Sequence, residues 1–293
     1  RSSDSTWNQP LGISSLNNNS NDAAVALSPD GQTLFTFISD VKNPGDLCIS
    51  SLNGTEWSKP EKLNTNINSE FWEGSCSITA DGRYLYFASE RPGGLGGRDL
   101  YVSEKVNGEW SAAVNLGPSI NTQYNEDAPF IHPDGITLFF SSEGHKSIGG
   151  YDIMYSIKKD NNWIEPLSMG IPLNTTEDDR YYVINAKGDV GYFSSNRGGA
   201  GGKGQQDIYT VTPGILGEKP ILALLKGSVY VDDKPTEAKI EVVKKETNTV
   251  IGPYYANSKT GKYLMAISPG SGYKIKITVA GMESIEEEID VEK

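Results

Sequence analysis

The chain has 293 residues, of which 37% are hydrophobic and 22% charged, and its formal net charge is -12. This length and apolar content suffice for one or two domains with hydrophobic cores, and the sequence has no run of 18 apolar residues to span a membrane. The acidic charge repels phosphate backbones and no basic stripe offsets it, so nucleic acid is excluded as the expected partner.

Two markers show that the first part of the chain is repetitive. Turn glycines recur at intervals of 51, 53 and 53 residues, at Gly31, Gly82, Gly135 and Gly188. Tryptophans recur at intervals of 50, 53 and 53 residues, at Trp7, Trp57, Trp110 and Trp163. Repeats of roughly 40–50 residues with four short strands each are typical of β-propeller blades.

Each complete repeat has four segments rich in aromatic and β-branched residues and bounded by turn residues, which predicts four strands. In the second repeat these are Glu73–Thr79, Tyr84–Ser89, Asp99–Ser103 and Trp110–Val114. The fourth repeat has equivalents of the first three but no tryptophan strand; they are Asp179–Asn185, Val190–Ser195 and Asp207–Val211.

The missing strand has an equivalent at the start of the sequence. Trp7–Leu11, with the sequence Trp-Asn-Gln-Pro-Leu, matches the tryptophan segments of the other repeats. Its pairing with Asp207–Val211 would remove two exposed sheet edges. We therefore predict a β-propeller of four blades over residues 1–213, closed by this N-terminal strand.

The pattern changes after the fourth repeat. Residues 214–220 are predicted to be a linker, and residues 221–293 alternate short strands with turns rich in glycine and proline. The predicted strands are Leu222–Tyr230, Lys239–Lys244, Tyr263–Ala266, Tyr273–Val279 and Glu286–Val291. About 70 residues of this kind are typical of a small β-sandwich, so the whole chain is predicted to be all-β.

Several segments resemble known families. Leu85–Arg91, Gly96–Ser103, Gly108–Ser111 and Asn115–Thr122 resemble the WD40-like, TolB-related propeller repeats of bacterial envelope proteins. In the second unit, Lys226–Tyr230, Lys234–Val242 and Thr260–Leu264 resemble the carboxypeptidase regulatory-like, or transthyretin-like, sandwich. The order of the two units resembles the middle of Bacteroidetes OmpA-family envelope proteins, among them a periplasmic component of the type IX secretion system.

The resemblance implies a function. It implies a non-catalytic, periplasmic protein-protein interaction scaffold, associated with the outer membrane and part of an assembly that links outer membrane and peptidoglycan. The implied partners are envelope or secretion-system proteins, with peptidoglycan contacted through a flanking domain. A glycan- or peptide-binding module that uses the mouth of the propeller channel is the first alternative. A hydrolase with paired carboxylates for glycoside cleavage is the second, and the symmetric repetition of the acidic residues argues against it.

No enzyme activity and no cofactor are predicted. His132 stands where the other repeats have Ser28, Thr79 and Asn185, two residues before the turn position, which favours a turn-capping role. The glycine-rich loops precede strands rather than helices, which favours hairpin connections over phosphate binding. Cys48 and Cys76 match no metal or redox spacing, and both buried thiols and a disulfide remain open.

One column of acidic residues starts the first strand of every repeat; its members are Asp22, Glu73, Glu126 and Asp179. Because the first strand lies nearest the propeller axis, four carboxylates at this position would surround one mouth of the channel. An unpaired ring of this kind binds a cation or a basic peptide. Alternatively, each carboxylate pairs with a backbone N–H or with Arg91, Arg180 or Arg197.

The adjacent aromatic residues Phe71 and Trp72 have no counterpart in the other repeats as a pair, and they precede a predicted strand. Aromatic side chains are enriched at the energetic centres of protein interfaces. Phe71 and Trp72 are therefore the predicted partner contact, with packing as the alternative. For a glycan or peptide ligand, Tyr124 and Tyr151 would join them.

Overall fold

A computed structural model describes residues 9, 11–17, 20–185, 188–198, 204–212, 214 and 222–292. These residues form strands and turns, which confirms the all-β prediction. Among them, no helix has the length and apolarity needed to cross a membrane.

Four antiparallel sheets follow the four sequence repeats. The first contains β1 (Asn21–Leu27), β2 (Thr33–Asp40), β3 (Asn43–Asn53), β4 (Glu56–Trp57) and β5 (Glu61–Lys62). The second contains β6 (Glu73–Ile78), β7 (Tyr84–Ser89), β8 (Asp99–Val106), β9 (Glu109–Trp110) and β10 (Val114–Asn115). The third contains β11 (Glu126–Ile131), β12 (Thr137–Ser142), β13 (Asp152–Lys159), β14 (Asn162–Trp163) and β15 (Leu167–Ser168). The fourth contains β16 (Asp179–Ile184), β17 (Gly191–Ser195) and β18 (Asp207–Val211).

Within each sheet the first three strands pair in sequence order. The predicted tryptophan strand is instead two short strands that pair with different parts of the third strand, as β9 and β10 do with β8. The physical reason is a serine that interrupts the ladder, because Ser103 Oγ donates to the carbonyl of Ser111 and Glu104 N donates to Ser111 Oγ. The outer strand of each complete sheet is therefore interrupted.

The first strands of the four sheets, β1, β6, β11 and β16, line one central cavity of about 810 Å³. Separate apolar clusters fill the space between neighbouring sheets, and their largest fully buried side chains include Phe35, Phe87, Phe139 and Phe140. Sheets packed face to face around a common axis are the arrangement of a β-propeller.

The predicted closure falls largely outside the described residues. Trp7, the first residue of the proposed closing strand, lies outside them. Leu11, its last residue, is described; it belongs to no strand and is 88% exposed. Closure of the ring by Trp7–Leu11 therefore stays a prediction.

The second unit also has an apolar core between sheets. Its strands are β19 (Ala223–Ser228), β20 (Tyr230–Val231), β21 (Lys234–Pro235), β22 (Ala238–Lys244), β23 (Thr249–Ala256), β24 (Lys262–Ile267), β25 (Ser271–Thr278) and β26 (Ile285–Val291). The β19–β24 pair shares its core with the four-stranded sheet β23–β22–β25–β26. On the propeller side, Ala80 packs against this core, and Leu224 and Leu264 line the central cavity.

A repeated asparagine fixes the loop that leads into each new sheet. Asn68, Asn121 and Asn174 are buried. In the middle example, Asn121 Oδ1 accepts a 2.8 Å hydrogen bond from Leu100 N, and Asn121 Nδ2 donates a 2.9 Å hydrogen bond to Leu100 O. The amide thus occupies the place of a neighbouring strand's peptide group.

Replacing Asn121 with Ala would leave the N–H and C=O of Leu100 unsatisfied in the interior. We expect the free energy of unfolding to fall by about 2–4 kcal/mol, because each buried backbone group without a partner costs about 1–3 kcal/mol. Urea denaturation measures the change. Asn53→Ala, at an exposed position of β3, is the matched control and should change stability by less than about 0.5 kcal/mol. Equal losses in the two variants would contradict the assigned role.

Candidate functional site

The acidic column is buried rather than open to the channel. Glu73, Glu126 and Asp179 are 0% exposed. Glu126 Oε2 accepts a hydrogen bond from Thr122 N at 2.8 Å, and its Oε1 accepts from Thr122 Oγ1 and Ser142 Oγ, each at 2.7 Å. Each of the three carboxylates joins its preceding loop to the second strand of its own sheet or to an arginine that follows that strand.

The structure does not bring the four acidic residues together. Arg91 lies 3.4 Å from Glu73 and Arg197 lies 2.6 Å from Asp179, as the pairing alternative expects. Asp22 is half-buried and stands opposite Ile38, where the other sheets have a serine. None of the four lines the central cavity, and the described part of the chain has no group of three or more His, Cys, Asp or Glu side chains placed to hold a metal ion.

A second cluster lies beside this column, where the repeats differ from one another. The residue after the acidic position is Ala23, Gly74, Asp127 or Arg180. Asp127 is 0% exposed; it accepts hydrogen bonds from Arg98 Nη1 at 2.6 Å, from Ser75 Oγ at 2.5 Å and from Arg180 Nη2. Since these residues come from the second, third and fourth sheets, Asp127 joins three sheets at the channel mouth. We call Arg98, Asp127 and Arg180 the arginine cluster.

Aromatic rings support both guanidinium groups. The guanidinium carbon of Arg98 is 3.6 Å from the centroid of the Trp72 ring, and that of Arg180 is 4.2 Å from the centroid of Tyr151. Gly74 leaves the space that the indole needs, because a Cβ there would come within 1.8 Å of the Trp72 ring. Cation–π contact with partly desolvated guanidinium groups stabilises such an arrangement.

The backbone beside the cluster adopts unusual conformations. All four inner strands carry a β-bulge at this level. In the third and fourth sheets, the bulge places Ala128 and Tyr181 at positive φ, 51° and 57°. Residues other than Gly and Asn rarely adopt a positive φ, and those that do are concentrated at functional sites. The bulge of the fourth sheet leaves the Tyr181 ring 44% exposed.

The charge states of the cluster follow from its surroundings. Burial favours neutral Arg98, but the nearby carboxylates of Asp127 and Glu90 outweigh it and raise the pKa of Arg98. Burial chiefly raises the pKa of Tyr151 and Tyr181, and the charge of Asp127 adds to the effect. At neutral pH Arg98 is therefore charged, and the phenols of Tyr151 and Tyr181 are neutral.

Exposed apolar side chains surround this end of the propeller. Phe71 and Tyr124 occupy equivalent positions two residues before the acidic column and are 43% and 52% exposed. Leu95 and Ile148, in the equivalent loops before β8 and β13, are 45% and 48% exposed. With Tyr181 these residues form what we call the apolar rim.

The two residues of the predicted pair, Phe71 and Trp72, lie in different environments. Phe71 is exposed in the apolar rim, whereas Trp72 is covered by Arg98 and lies 6.0 Å from the ring of Phe37, between centroids. Phe71 thus presents its ring to solvent, and Trp72 supports the arginine cluster from below. Tyr124 is exposed, while Tyr151 is buried beneath Arg180.

His132 and the cysteines occupy structural positions. His132 is 2% exposed, and its Nδ1 lies 3.1 Å from Asp134 Oδ2 within the turn. Burial alone would raise the pKa of Asp134, but hydrogen bonding and the charge of His132 lower it overall. Cys48 and Cys76 are buried free thiols, and burial raises the pKa of Cys48 to about 11.

The sequence prediction missed the arginine cluster. It proposed Arg180 as a partner for a carboxylate of the acidic column, whereas Arg180 forms an ion pair with Asp127. The available signal was the departure of Asp127 and Arg180 from the small residues Ala23 and Gly74 at the same repeat position. Their convergence with Arg98 depends on how the sheets pack, which the repeat alignment does not give.

No protein-family model matches the chain, and no curated protein sequence matches it. Among solved structures, TolB from Acinetobacter baumannii is similar, with 12% identity, 95% of this chain and 57% of that chain covered, and a TM-score of 0.46. A putative TolB from Agrobacterium tumefaciens has 12% identity, coverage of 86% and 91%, and a TM-score of 0.38. A thermostable family-43 glycoside hydrolase has 13% identity, coverage of 78% and 73%, and a TM-score of 0.43.

This chain thus spans little more than half the length of the Acinetobacter TolB. At these identities and TM-scores, the likenesses assign neither a family nor an activity to the chain. The propeller description therefore depends on its own strand order, the packing between its sheets and the cavity that the four inner strands share.

Replacing Asp127 with Ala would remove the carboxylate shared by two largely buried guanidinium groups. We expect stability to fall by about 3–5 kcal/mol, the cost of breaking a buried ion pair from one side. Thermal and urea denaturation measure the loss. Glu177→Ala, an exposed acidic residue near the same mouth, is the control and should be close to neutral. If the free energy of unfolding of Asp127→Ala fell by less than about 1 kcal/mol, the assignment of the arginine cluster as a link between the sheets would be contradicted.

A second prediction concerns a buried carboxylate that accepts fewer hydrogen bonds than its equivalent in the preceding sheet. Asp99 accepts hydrogen bonds from Leu95 N, Gly96 N and Asn115 Nδ2. Its equivalent Asp152 is fully buried, and Oδ1 has no partner within the described structure. Burial raises the pKa of Asp152. Asn115 donates to Asp99 Oδ2, and its equivalent in the next sheet is Ser168, whose side chain has no amide to donate to Asp152 Oδ2.

We therefore expect Ser168→Asn to stabilise the chain by about 1 kcal/mol at neutral pH, the worth of one added hydrogen bond to a buried group. Because the pKa of Asp152 is raised in the folded state, its ionised carboxylate lowers the stability of the unsubstituted chain above that pKa. The gain should therefore be full above the folded-state pKa and shrink as the pH falls and Asp152 is protonated. Urea denaturation at neutral and acidic pH measures both effects. A gain that is absent at neutral pH would contradict the assignment.

Proposed function

We propose that this chain is a non-catalytic protein-protein interaction scaffold whose partners bind at the end of the propeller that bears the arginine cluster and the apolar rim. The observation that supports this most is the location of residues that differ between repeats. Trp72, Arg98, Asp127 and Arg180 meet at one channel mouth, within the ring of exposed apolar side chains.

This surface has the composition of a protein interface. Exposed aromatic and aliphatic side chains at the loop ends supply apolar contact area around the largely buried arginine cluster. Interfaces are enriched in Tyr, Trp, Phe and Arg relative to other surfaces. The buried ion pairs hold these groups in place before a partner binds, which lowers the entropy cost of binding.

A hydrolytic role finds less support in the geometry. Glycoside cleavage needs two carboxylates that reach the substrate, one of them as an acid. Glu73, Glu126 and Asp179 are sealed from solvent, and each is hydrogen-bonded to its own loop. The acidic residues therefore have a structural role, because each one holds the loop that precedes its strand.

The cellular setting proposed for this scaffold comes from the sequence resemblance. We place it in the periplasm of a Gram-negative, Bacteroidetes-like bacterium, in an outer-membrane-associated assembly such as a type IX secretion complex. Its partners would be envelope or secretion-system proteins, and the second unit would act as a spacer or a further docking surface. A flanking domain would supply any contact with peptidoglycan.

The alternative is a glycan- or peptide-binding module, and the central cavity is the observation that favours it. A glycan site needs several convergent polar side chains in addition to aromatic rings. The cavity lining is mainly aliphatic and aromatic, and its polar groups among the described residues are two serine and two tyrosine hydroxyls, the Trp72 indole N–H and the Cys76 thiol. Of the two ligand classes, a peptide fits this lining better.

The test of the proposed function is capture of partners from an envelope extract of the source bacterium, with quantitative mass spectrometry. Phe71→Ala combined with Tyr124→Ala should lower the recovery of specific envelope proteins at least tenfold, because it removes two exposed rings of the apolar rim. Val114→Ala combined with Leu167→Ala, on the outer sheet edges, is the matched control for lost exposed apolar area. Recovery that is equal in all three proteins would contradict docking at the apolar rim.

A further inference from the structure

Arginine has the same role in the second and fourth sheets. Arg91 Nη2 lies 3.4 Å from Glu73 Oε1 and donates to the carbonyl of Ile67 in the loop before the inner strand. Arg197 Nη2 lies 2.6 Å from Asp179 Oδ1 and donates to the equivalent carbonyl of its own sheet. In both sheets a permanent positive charge therefore joins the buried carboxylate to the preceding loop.

The third sheet has no arginine at this position. Gly144 is the equivalent of Arg91 and Arg197, and like them it donates its backbone N–H to the serine hydroxyl two residues earlier. An arginine would not fit there, because a Cβ on Gly144 would come within 2.4 Å of Thr122 Oγ1. Among the described residues, Glu126 forms no ion pair with an arginine or a lysine, in contrast to its two equivalents.

His145, the next residue, makes the contacts that arginine makes in the other two sheets. Its Nε2 lies 2.7 Å from the carbonyl oxygen of Ile120, which is the equivalent of the carbonyl that arginine binds. Because a carbonyl oxygen only accepts, Nε2 carries a proton in this contact. The ring of His145 also lies edge-on to Phe140, 5.8 Å between centroids, where Phe87 lies beneath the guanidinium of Arg91 in the second sheet.

The backbone adopts an uncommon conformation at this contact. His145 and Lys146 have φ angles of 49° and 60°. Two successive residues other than glycine at positive φ persist only where the surrounding structure holds them. The His145 side chain is half-buried, so its protonation follows the pH of the medium.

The charge of His145 acts on a buried carboxylate. Burial raises the pKa of Glu126, and this effect is opposed by hydrogen bonds from Thr122 and Ser142 and by positive charge on His145. An ionised carboxylate and a protonated imidazole attract each other, and little water screens the pair where the carboxylate is fully buried.

Few other groups near the ring titrate. The preceding loop, residues 116–125, has Tyr124 as its sole titratable side chain, and β12, which carries the phenylalanine beneath the ring, has none. The loop of His145 itself adds Glu143, which is hydrogen-bonded to the preceding loop, and the exposed Lys146. Of these residue types, histidine is the one that ordinarily changes charge between about pH 5 and 8.

We propose that His145 makes docking at the apolar rim sensitive to pH. The protonated ring gives the third sheet the positive charge that arginine gives the second and fourth sheets, and it thereby fixes the two loops that carry Tyr124 and Ile148. The neutral ring keeps its hydrogen bond to Ile120 but loses the attraction to Glu126. This inference depends on the proposed function, because the regulated surface is the apolar rim, but the ordering of the two loops is measurable without a partner.

The direction of the effect follows from the charges. Loop order and partner affinity should be highest at mildly acidic pH, where the ring of His145 is protonated and Glu126 is still ionised. Both should fall as the pH rises and the ring loses its proton. At still lower pH the gain should end because Glu126 takes up a proton, and its raised pKa moves this limit upward.

Two substitutions in the 293-residue chain separate the charge from the hydrogen bond. His145→Arg supplies a permanent positive charge, and His145→Gln keeps a donor for the Ile120 carbonyl without a charge. Lys146→Gln removes an exposed charge from the same loop and is the matched control.

The first readout is amide hydrogen exchange at about pH 5.5 and about pH 7.5, on either side of the range in which histidine changes charge. Rates are corrected for the intrinsic pH dependence of exchange. In the unsubstituted chain and in Lys146→Gln, protection of residues 121–126 and 143–151 should fall about fivefold at the higher pH, which corresponds to about 1 kcal/mol of charge interaction. Protection should be equal at the two pH values in the His145 variants, high in His145→Arg and low in His145→Gln.

The second readout is capture of envelope proteins at the same two pH values. Recovery by the unsubstituted chain should fall about fivefold at the higher pH, in proportion to the loss of loop order. Recovery by His145→Arg should be equal at both pH values. Any pH dependence of the partner itself would affect both chains alike, so the ratio of the two recoveries isolates the contribution of His145.

Three results would overturn the inference: loop protection that does not change with pH in the unsubstituted chain, the same pH dependence in His145→Gln, or the same pH dependence of capture by His145→Arg. The first needs no substitution, so it decides the question even if a variant fails to fold. Capture that depends on Phe71 and Tyr124 but not on His145 would reject this inference and keep the proposed function. Loop protection that changes as expected, without capture that depends on Phe71 and Tyr124, would reject docking at the apolar rim itself.

Discussion

A buried carboxylate at the start of an inner strand controls the local geometry of this propeller. Burying a charge is costly unless hydrogen bonds replace its hydration. Ser69 and Thr122, four residues before Glu73 and Glu126, supply both a backbone N–H and a hydroxyl group. The same hydroxyls accept hydrogen bonds from the backbone N–H of Phe71 and Tyr124, which fixes the two exposed aromatic residues at equivalent places. The hydrogen bonds that satisfy the buried carboxylates thus also fix the positions of Phe71 and Tyr124 in the apolar rim.

The repeat supplies the framework, and departures from it supply the candidate site. Identical loops around a ring would present the same chemistry on every sheet. Here a glycine gives space to Trp72, and an aspartate and an arginine replace small residues in the next two sheets. The resulting ion pairs join three sheets and leave the guanidinium groups on aromatic rings at the channel mouth. Under the proposed function, the same residues would serve both stability and recognition.

Much of the fold was predictable because the turn and strand signals are local. The three inner strands β6, β11 and β16 begin at the predicted residues, and the buried His132 contacts its turn as expected. The strand β23 was missed because Gly252 and Pro253 interrupt its pattern; it is an edge strand with a bulge there, where proline is tolerated. The arginine cluster was not predictable, because Arg98 and Arg180 lie 29 and 53 residues from Asp127.

The most direct measurement of the central claim is site-specific photocrosslinking in living cells. A photoreactive phenylalanine analogue at position 71 lies in the apolar rim, and the same analogue at position 114 lies on an outer sheet edge. The account predicts defined crosslinks to envelope proteins from position 71 and background labelling from position 114. Crosslinks from position 114 with none from position 71 would contradict it.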